Sequence, residues 1–338
     1  MTRAGASPRA PARRRVPAGA AWLLAGVAAL SACATRAGAE TLSLGVSDGP
    51  VSLPIYVADA RGFFSDEGLD VRLRACRSGS ECYQWLEDGS VDLATAAELL
   101  VAAGGATRKG VAIIATISAS SYQIKLVARH SAQVMEAPQL RGKRIGTVPG
   151  SSAQYFLDNW LVFNDIDPQS VSIVGLAPDS LIPALESHTV DAIAIWEPIA
   201  SLAAAALGGD AVTFVSPRVY TQHFNLVATR ATLGRRDADV LGLLRALIRA
   251  HDAIAEAPDA ARALLAERLH VAPAIAASIM AGQDYRIRLD QSLVTTLQGQ
   301  ARWLARRGLA RPAGAGLAGV IDPAPLRRVA PGAVGLVQ

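Results

Sequence analysis

The strongest constraint on the fold is an alternation. Short runs rich in Val, Ile, Leu and Ala recur at 42–46, 71–75, 93–95, 111–117, 124–128, 144–148, 171–174, 192–195, 212–215 and 224–228, and each has the length of a buried strand. Helical patterns lie between them at 54–64, 80–87, 97–107 and 151–163. Strands separated by helices imply parallel α/β sheets joined by right-handed crossovers. After Leu233 the pattern becomes helix only, over 237–256, 258–269, 273–280 and 290–307. Pro258 and Pro273 fit first-turn positions, where a missing N–H costs nothing. A coil rich in Pro and Gly is expected from there to Gln338.

Two extended segments are alike across the chain. Ile124-Lys125-Leu126-Val127-Ala128-Arg129 and Phe224-Asn225-Leu226-Val227-Ala228-Thr229 each sit where one α/β block gives way to another. They read as the two crossings of a hinge, or as two ordinary buried strands. The hinge reading makes lobe 1 discontinuous, 41–128 plus 225–338, and lobe 2 continuous, 129–224. A length of this order supports two such lobes.

The first residues have another character. Arg13, Arg14 and Arg15 precede an apolar run over 18–32 that is too short to span a bilayer. A basic start, a short apolar core and small residues at its end make an export signal over 1–32. Leu30-Ser31-Ala32-Cys33 resembles a bacterial lipobox, with Cys33 as the lipidated residue; Ala37-Gly38-Ala39 before Glu40 is a competing site for ordinary cleavage. The three arginines are a poor twin-arginine match, because Val16-Pro17 follows. The leader takes five arginines and no acid from a chain of 33 Lys+Arg and 29 Asp+Glu. The remainder is close to neutral, so the basic balance does not argue for nucleic acid. Cys76 and Cys82 then remain in an oxidising compartment and suit a disulfide over a short loop, with a redox or metal pair as the alternative.

Catalytic signatures are thin. H-E-x-x-H and the phosphate-loop pattern are both missing. His130, His188, His223, His251 and His270 do not pair at metal-ligand spacing, so neither a metal nor a cofactor is expected.

Several motifs in order carry a resemblance. They are Leu44-Gly45-Val46, then Tyr56-Val57-Ala58 through Gly68-Leu69-Asp70-Val71, Gly89-Ser90-Val91-Asp92-Leu93-Ala94-Thr95, Leu140-Arg141-Gly142-Lys143-Arg144-Ile145-Gly146, Gly150-Ser151-Ser152, Val190-Asp191-Ala192 and Trp196-Glu197-Pro198. Over about 42–305 the chain resembles the nitrate/sulfonate/taurine/thiamine-precursor family of ABC-transporter substrate-binding proteins. The resemblance implies a type II periplasmic-binding-protein fold, an α/β architecture of two lobes joined by a two-strand hinge and closing on a small molecule. It implies an ABC permease and ATPase as partners, a monomer in a periplasmic or lipid-anchored location, and no catalysis. A sulfonate or taurine is the expected solute. The alternatives are a ligand-sensing periplasmic protein, a pyrimidine-binding protein, or an enzyme on the same fold. Pyrimidine-synthesising relatives carry a Cys-rich run that this chain lacks.

The expected cleft residues follow from strand ends and helix starts. Gly150, Ser151 and Ser152 lie between a strand and a helix, where free N–H groups and a partial positive charge suit an oxyanion; a serine there also fits an N-cap. Ser52, Leu53 and Tyr56 follow the first strand, and Thr95 and Ala96 the third. Asp48 and Pro54 fit turn chemistry better, and Glu98 is equally a first-turn acid. Ser120 and Ser121 form a polar run before the hinge, while Trp196 and Glu197 end a strand and suit an amine or a flat ring.

Overall fold

The computed structural model describes Gly5 and residues 40–104, 110–309, 317 and 319–337. The expectations for 1–32, Cys33 and the Ala37–Gly38–Ala39 site lie outside the described residues.

In chain order the elements begin with β1 (Leu42–Ser47), α1 (Leu53–Ala60), α2 (Phe63–Asp66), β2 (Val71–Cys76), α3 (Gly79–Asp88), β3 (Leu93–Ala97), α4 (Glu98–Gly104), β4 (Val111–Ser120) and β5 (Ile124–Arg129). Next come β6 (Arg144–Thr147), α5 (Ser152–Phe163), β7 (Ser172–Gly175), α6 (Leu181–Glu186), β8 (Ala192–Trp196), α7 (Ile199–Leu207), β9 (Ala211–Phe214) and β10 (Gln222–Thr229). The chain continues with α8 (Arg230–Arg235), α9 (Asp237–Glu256), α10 (Pro258–Leu269), α11 (Pro273–Ala281), β11 (Leu289–Asp290), α12 (Gln291–Arg306), α13 (Ala324–Val329) and β12 (Val334–Gly335). The expected 54–64 helix is two pieces, because Gly62 takes a left-handed backbone (φ 70°) that breaks the run. The expected terminal coil contains α13 and β12, and β12 pairs with β11.

The strands form two five-stranded sheets. The first has the order β2-β1-β3-β10-β4 and the second β7-β6-β8-β5-β9. Neither is purely parallel, contrary to the plain alternation argument. β10 runs antiparallel between β3 and β4, and β5 runs antiparallel between β8 and β9. These are the two strands that enter their sheets directly from the other half, so no helical crossover sets their direction.

This topology moves the expected boundaries. The expected lobe 1 takes in residues 124–128 of β5, yet all the ladder partners of β5 lie in the second sheet. Gln222, His223 and Phe224 were placed in lobe 2, yet they pair with β4 and β3 of the first. The crossings therefore fall at 121–123 and 215–221. Ser121 Oγ and Thr221 Oγ1, 2.7 Å apart, join them. Strand periodicity reports burial, not which sheet supplies the neighbour.

Each sheet has its own apolar cluster. Leu44, Leu93, Ile113, Leu226 and the inner faces of α1 and α9 fill the first. Ile145, Ile193, Leu126, Phe156 and Trp160 fill the second. In α9, Val240, Leu243, Leu244, Leu247, Ala250 and Ile254 recur at helical spacing and are buried. The outer edge of β4 is covered by an extended segment, with Thr116 N–H donating to Arg288 O (2.8 Å) and Ala119 N–H to Asp284 O (2.8 Å). A third cluster, Leu99, Trp303 and Leu304 with Tyr155 against it, joins α4 and α12 of the first half to α5 of the second.

Candidate functional site

A cavity of about 300 Å³ opens between the two sheets. The first half contributes Ser47, Asp48, Gly49, Val51, Ser78, Gly79, Ser80, Ala97, Leu99, Leu100, Gln222 and Phe224. The second contributes Val148, Pro149, Gly150, Ser151, Ser152, Pro178, Trp196 and Glu197, and Gln123 lines it from the first crossing. Strand ends and helix starts meet here, as the rule for open α/β sheets requires. Five of the expected ligand residues are among the lining: Gly150, Ser151, Ser152, Trp196 and Glu197.

The others are not in the lining, and most brace it. Ser52 Oγ donates to Ser47 O (2.7 Å), Thr95 Oγ1 accepts from Ser47 N–H (2.8 Å), and Tyr56 Oη donates to Asp48 Oδ1 (3.2 Å). Together they fix the 47–49 turn, whose backbone and side chains do reach the cavity. Burial and the neighbouring Asp48 carboxylate push the Tyr56 phenol above its ordinary pKa, so it stays a donor. Leu53 is a core residue. Ala96 is buried in β3, and its Cα supports Gly79 from behind. Ser120 lies within β4 and donates to Gly282 O (2.6 Å), and Ser121 bonds across the crossings.

The α5 start is organised by its own cap. Gly150 has φ 68°, a left-handed turn that delivers the chain to the helix. Ser151 Oγ accepts from Ala153 N–H (3.1 Å) and Gln154 N–H (3.4 Å), and Gln154 Oε1 accepts from Gly150 N–H (2.7 Å). This is the N-cap alternative for Ser151, realised. Ser152 Oγ accepts from Gln222 Nε2 (2.8 Å), a bond between the two halves. Ser152 N–H is the first-turn donor that these contacts leave.

The α3 start was not expected as part of the site. Ser78 Oγ caps it by accepting from Glu81 N–H (3.3 Å), and Glu81 Oε2 accepts from Arg77 N–H (2.8 Å). Gly79 and Ser80 are then the first-turn N–H groups left over, and both residues line the cavity. Gly79 is packed closely: a Cβ there would lie 3.5 Å from Ala96 Cα and 3.5 Å from Phe224 Cε2. Cys76 and Cys82 form the expected disulfide, with Cα atoms 5.6 Å apart, and it closes the loop carrying Ser78, Gly79 and Ser80. The one signal available in sequence was a Ser-Gly-Ser turn between two cysteines, read as a spacer.

Glu197 does not present a free carboxylate. Oε1 pairs with Lys125 Nζ (2.5 Å) and accepts from Ser201 Oγ (2.8 Å), while Oε2 accepts from Ser201 N–H (2.9 Å). The acid thus serves the start of α7 and a buried ion pair, which corrects its expected use for an amine. Among the described residues, Lys, Arg and His do not occur in the lining. The chemistry on offer is therefore N–H groups and hydroxyls at two helix starts, one carboxylate at Asp48, and an apolar flank of Val51, Leu99, Leu100, Val148, Trp196 and Phe224. Among the described residues, no group of three His, Cys, Asp or Glu residues could hold a metal ion.

Beside the cavity lies a buried polar cluster. Glu98 Oε1 accepts from Tyr220 Oη (2.5 Å) and Gln300 Nε2 (2.9 Å), and Oε2 accepts from His223 N–H (3.1 Å). Burial raises the Glu98 carboxyl to about 7 against those hydrogen bonds. Burial lowers the His223 imidazole to about 4. His223 Nε2 lies 2.8 Å from Ser292 Oγ, so the ring faces α12 rather than the cavity.

The comparisons with known proteins follow the same lines. A Bacillus subtilis (strain 168) protein named as an aliphatic sulfonates-binding protein is 27% identical over 215 residues, 62% of this chain and 64% of that protein. The chain thus spans just under two thirds of that relative. A Uromyces fabae protein named 4-amino-5-hydroxymethyl-2-methylpyrimidine phosphate synthase is 30% identical over 99 residues, 29% of each chain. The crystal structure of the periplasmic aliphatic sulphonate binding protein SsuA from Escherichia coli superposes with a TM-score of 0.73 at 18% identity, covering 84% of this chain and 92% of that one. That likeness gives the periplasmic-binding-protein fold expected from the motifs. The family model described as NMT1/THI5 like matches residues 49–261, more than half of the chain, and the chain belongs to that family.

Proposed function

We propose that this chain is the extracytoplasmic solute receptor of an ABC importer. Its ligand is a small organic anion, a sulfonate above all, with an apolar body. The observation that carries this reading is the pairing of two helix starts with an apolar flank in one cavity between two sheets. The leftover N–H groups of Gly79, Ser80 and Ser152 suit the oxyanion, where helix dipoles favour negative charge. Trp196, Phe224 and the aliphatic residues suit the organic body. With no cationic side chain among the described lining residues, a bare inorganic anion gains little, and nitrate is disfavoured on that ground. Ligand that touches both halves favours a closed arrangement about the crossings at 121–123 and 215–221, with the two sheets and their helices as the lobes.

The test is calorimetric titration with butanesulfonate, taurine and nitrate. Butanesulfonate is expected to bind tightest, taurine more weakly and nitrate not measurably. A preference for nitrate over butanesulfonate overturns the ligand class. A chemically altered product in the cell would overturn the receptor reading in favour of an enzyme.

Export belongs to the same reading. The mature chain is expected to start at Cys33 with attached lipid. Intact-mass analysis of membrane-extracted protein checks this, and a free N-terminus at Glu40 would replace the lipoprotein with a soluble exported form.

A further inference from the structure

The halves also meet away from the cavity, along a seam between α5 and α12. Asp158 of α5 is 8% exposed and accepts from Trp303 Nε1 (2.7 Å) and Arg307 Nε (3.0 Å), at the end of α12 and just beyond it. One turn earlier on α5, the Tyr155 ring meets Trp303 edge-to-face at 5.6 Å and Tyr220 at 5.1 Å. Directly opposite is Gly299, in the interior of α12, where glycine is a poor helix former. A Cβ at Gly299 would lie 3.1 Å from Tyr155 Oη, so the missing side chain makes room for the tyrosine of the other half. None of Tyr155, Asp158, Gly299, Trp303 and Arg307 lines the cavity.

We infer that this seam is a clasp that sets how readily the two lobes close, and so sets affinity without touching ligand. Asp158 is a positioning residue in this scheme. The bonds to Trp303 and Arg307 form only when α5 approaches α12, so they stabilise the closed arrangement over the open one. Opening returns the Asp158 carboxylate and the Arg307 guanidinium to water. Apparent affinity scales with the fraction of binding-competent protein. A change in the clasp therefore multiplies every dissociation constant by one common factor, whereas a change at a contact residue alters the ratios between ligands.

The affinity arm of the test rests on the receptor reading above, and the shape arm does not. Asp158→Ala removes the acceptor, and Gly299→Leu drives a wedge against Tyr155. Small-angle X-ray scattering of each ligand-free variant is expected to give a larger radius of gyration than the parent. Titrations with butanesulfonate and taurine are expected to weaken by the same factor, roughly tenfold, within the usual range for coupling between two states. Circular dichroism establishes that each variant is folded. An unchanged radius of gyration in both folded variants overturns the clasp, as do unequal factors for two ligands. If the parent binds neither probe, the receptor reading has failed and the scattering comparison alone decides the clasp.

Discussion

The helices α3 and α5 begin on opposite walls of one cavity, and their first turns are used differently. At α5 the cap Ser151 and the back-reaching Gln154 consume most of the free N–H groups, and Ser152 Oγ is taken by Gln222. At α3 one hydroxyl, that of Ser78, caps a single N–H, and Gly79 and Ser80 face the cavity. The support behind the two turns also differs. A disulfide stands behind α3. Behind α5 stands a non-covalent chain from Tyr155 through Tyr220 to the ionisable Glu98. The lesson is that a helix start is a ligand site only to the extent that its own capping leaves donors over.

The largest expected effect is at Gly79. Gly79→Val pushes a branched side chain between Ala96, Phe224 and the cavity. Loss of measurable butanesulfonate binding is expected, more than about 4 kcal/mol, or about 1,000-fold, by calorimetry. If Gly79→Val binds normally while bulk at Ser152 abolishes binding, the ranking of the two turns is reversed.

Next is the pH response of the support behind α5. Glu98 has a raised pKa in the folded chain, about 7, so its contribution is full below the ordinary carboxyl range and falls as pH rises to about 7. His223 has a lowered pKa, about 4, so its contribution is full above about 6.5 and falls as pH drops to about 4. The two oppose each other between those limits. Glu98→Gln leaves the histidine alone, and urea melts are expected to lose roughly 3 kcal/mol from pH 7 to pH 4. His223→Asn should show the opposite slope from about pH 4.5 to 7. Parallel pH profiles for both variants and the parent would mean that these groups do not govern it.

Removing the disulfide gives a smaller and pH-independent cost. Cys76→Ser with Cys82→Ser is expected to lower stability by about 2 kcal/mol on the loop-entropy model. The same profile of melts across pH checks both the size and the flatness. The smallest effect belongs to Ser151→Ala, about 1 kcal/mol of stability for a lost cap. Affinity should change less than about twofold. A tenfold loss of affinity with unchanged melting would restore Ser151 as a direct ligand contact.

Much of the local structure was legible in the sequence. The apolar runs mark the strands of both sheets, and Pro258 and Pro273 mark the starts of two late helices. What escaped was non-local. Ile124 to Arg129 reads as a strand in either sheet, and only its pairing with β8 and β9 decides. The site was half legible for the same reason. Gly150 to Ser152 announces a helix start in sequence, but there Gln154 of the same helix accepts the Gly150 N–H, and the donor that occupies Ser152 Oγ, Gln222, comes from the other half. Glu197 ends a strand as expected, yet Lys125, far away in sequence, claims its carboxylate.

The place of β10 has a consequence for how the chain is made. β10 lies between β3 and β4, pairing Phe224 with Ala97 and Gln222 with Ser120. A chain emerging with its N-terminus first therefore holds two unjoined halves of a sheet, with a strand-wide gap, until residues 222–229 arrive. Every strand of the second sheet is synthesised inside that interval. Pairings this distant in sequence are slow to form, because loop closure comes before any contact repays it. Under the export proposed above, late completion of the first sheet works as a built-in delay while the chain is threaded through a membrane.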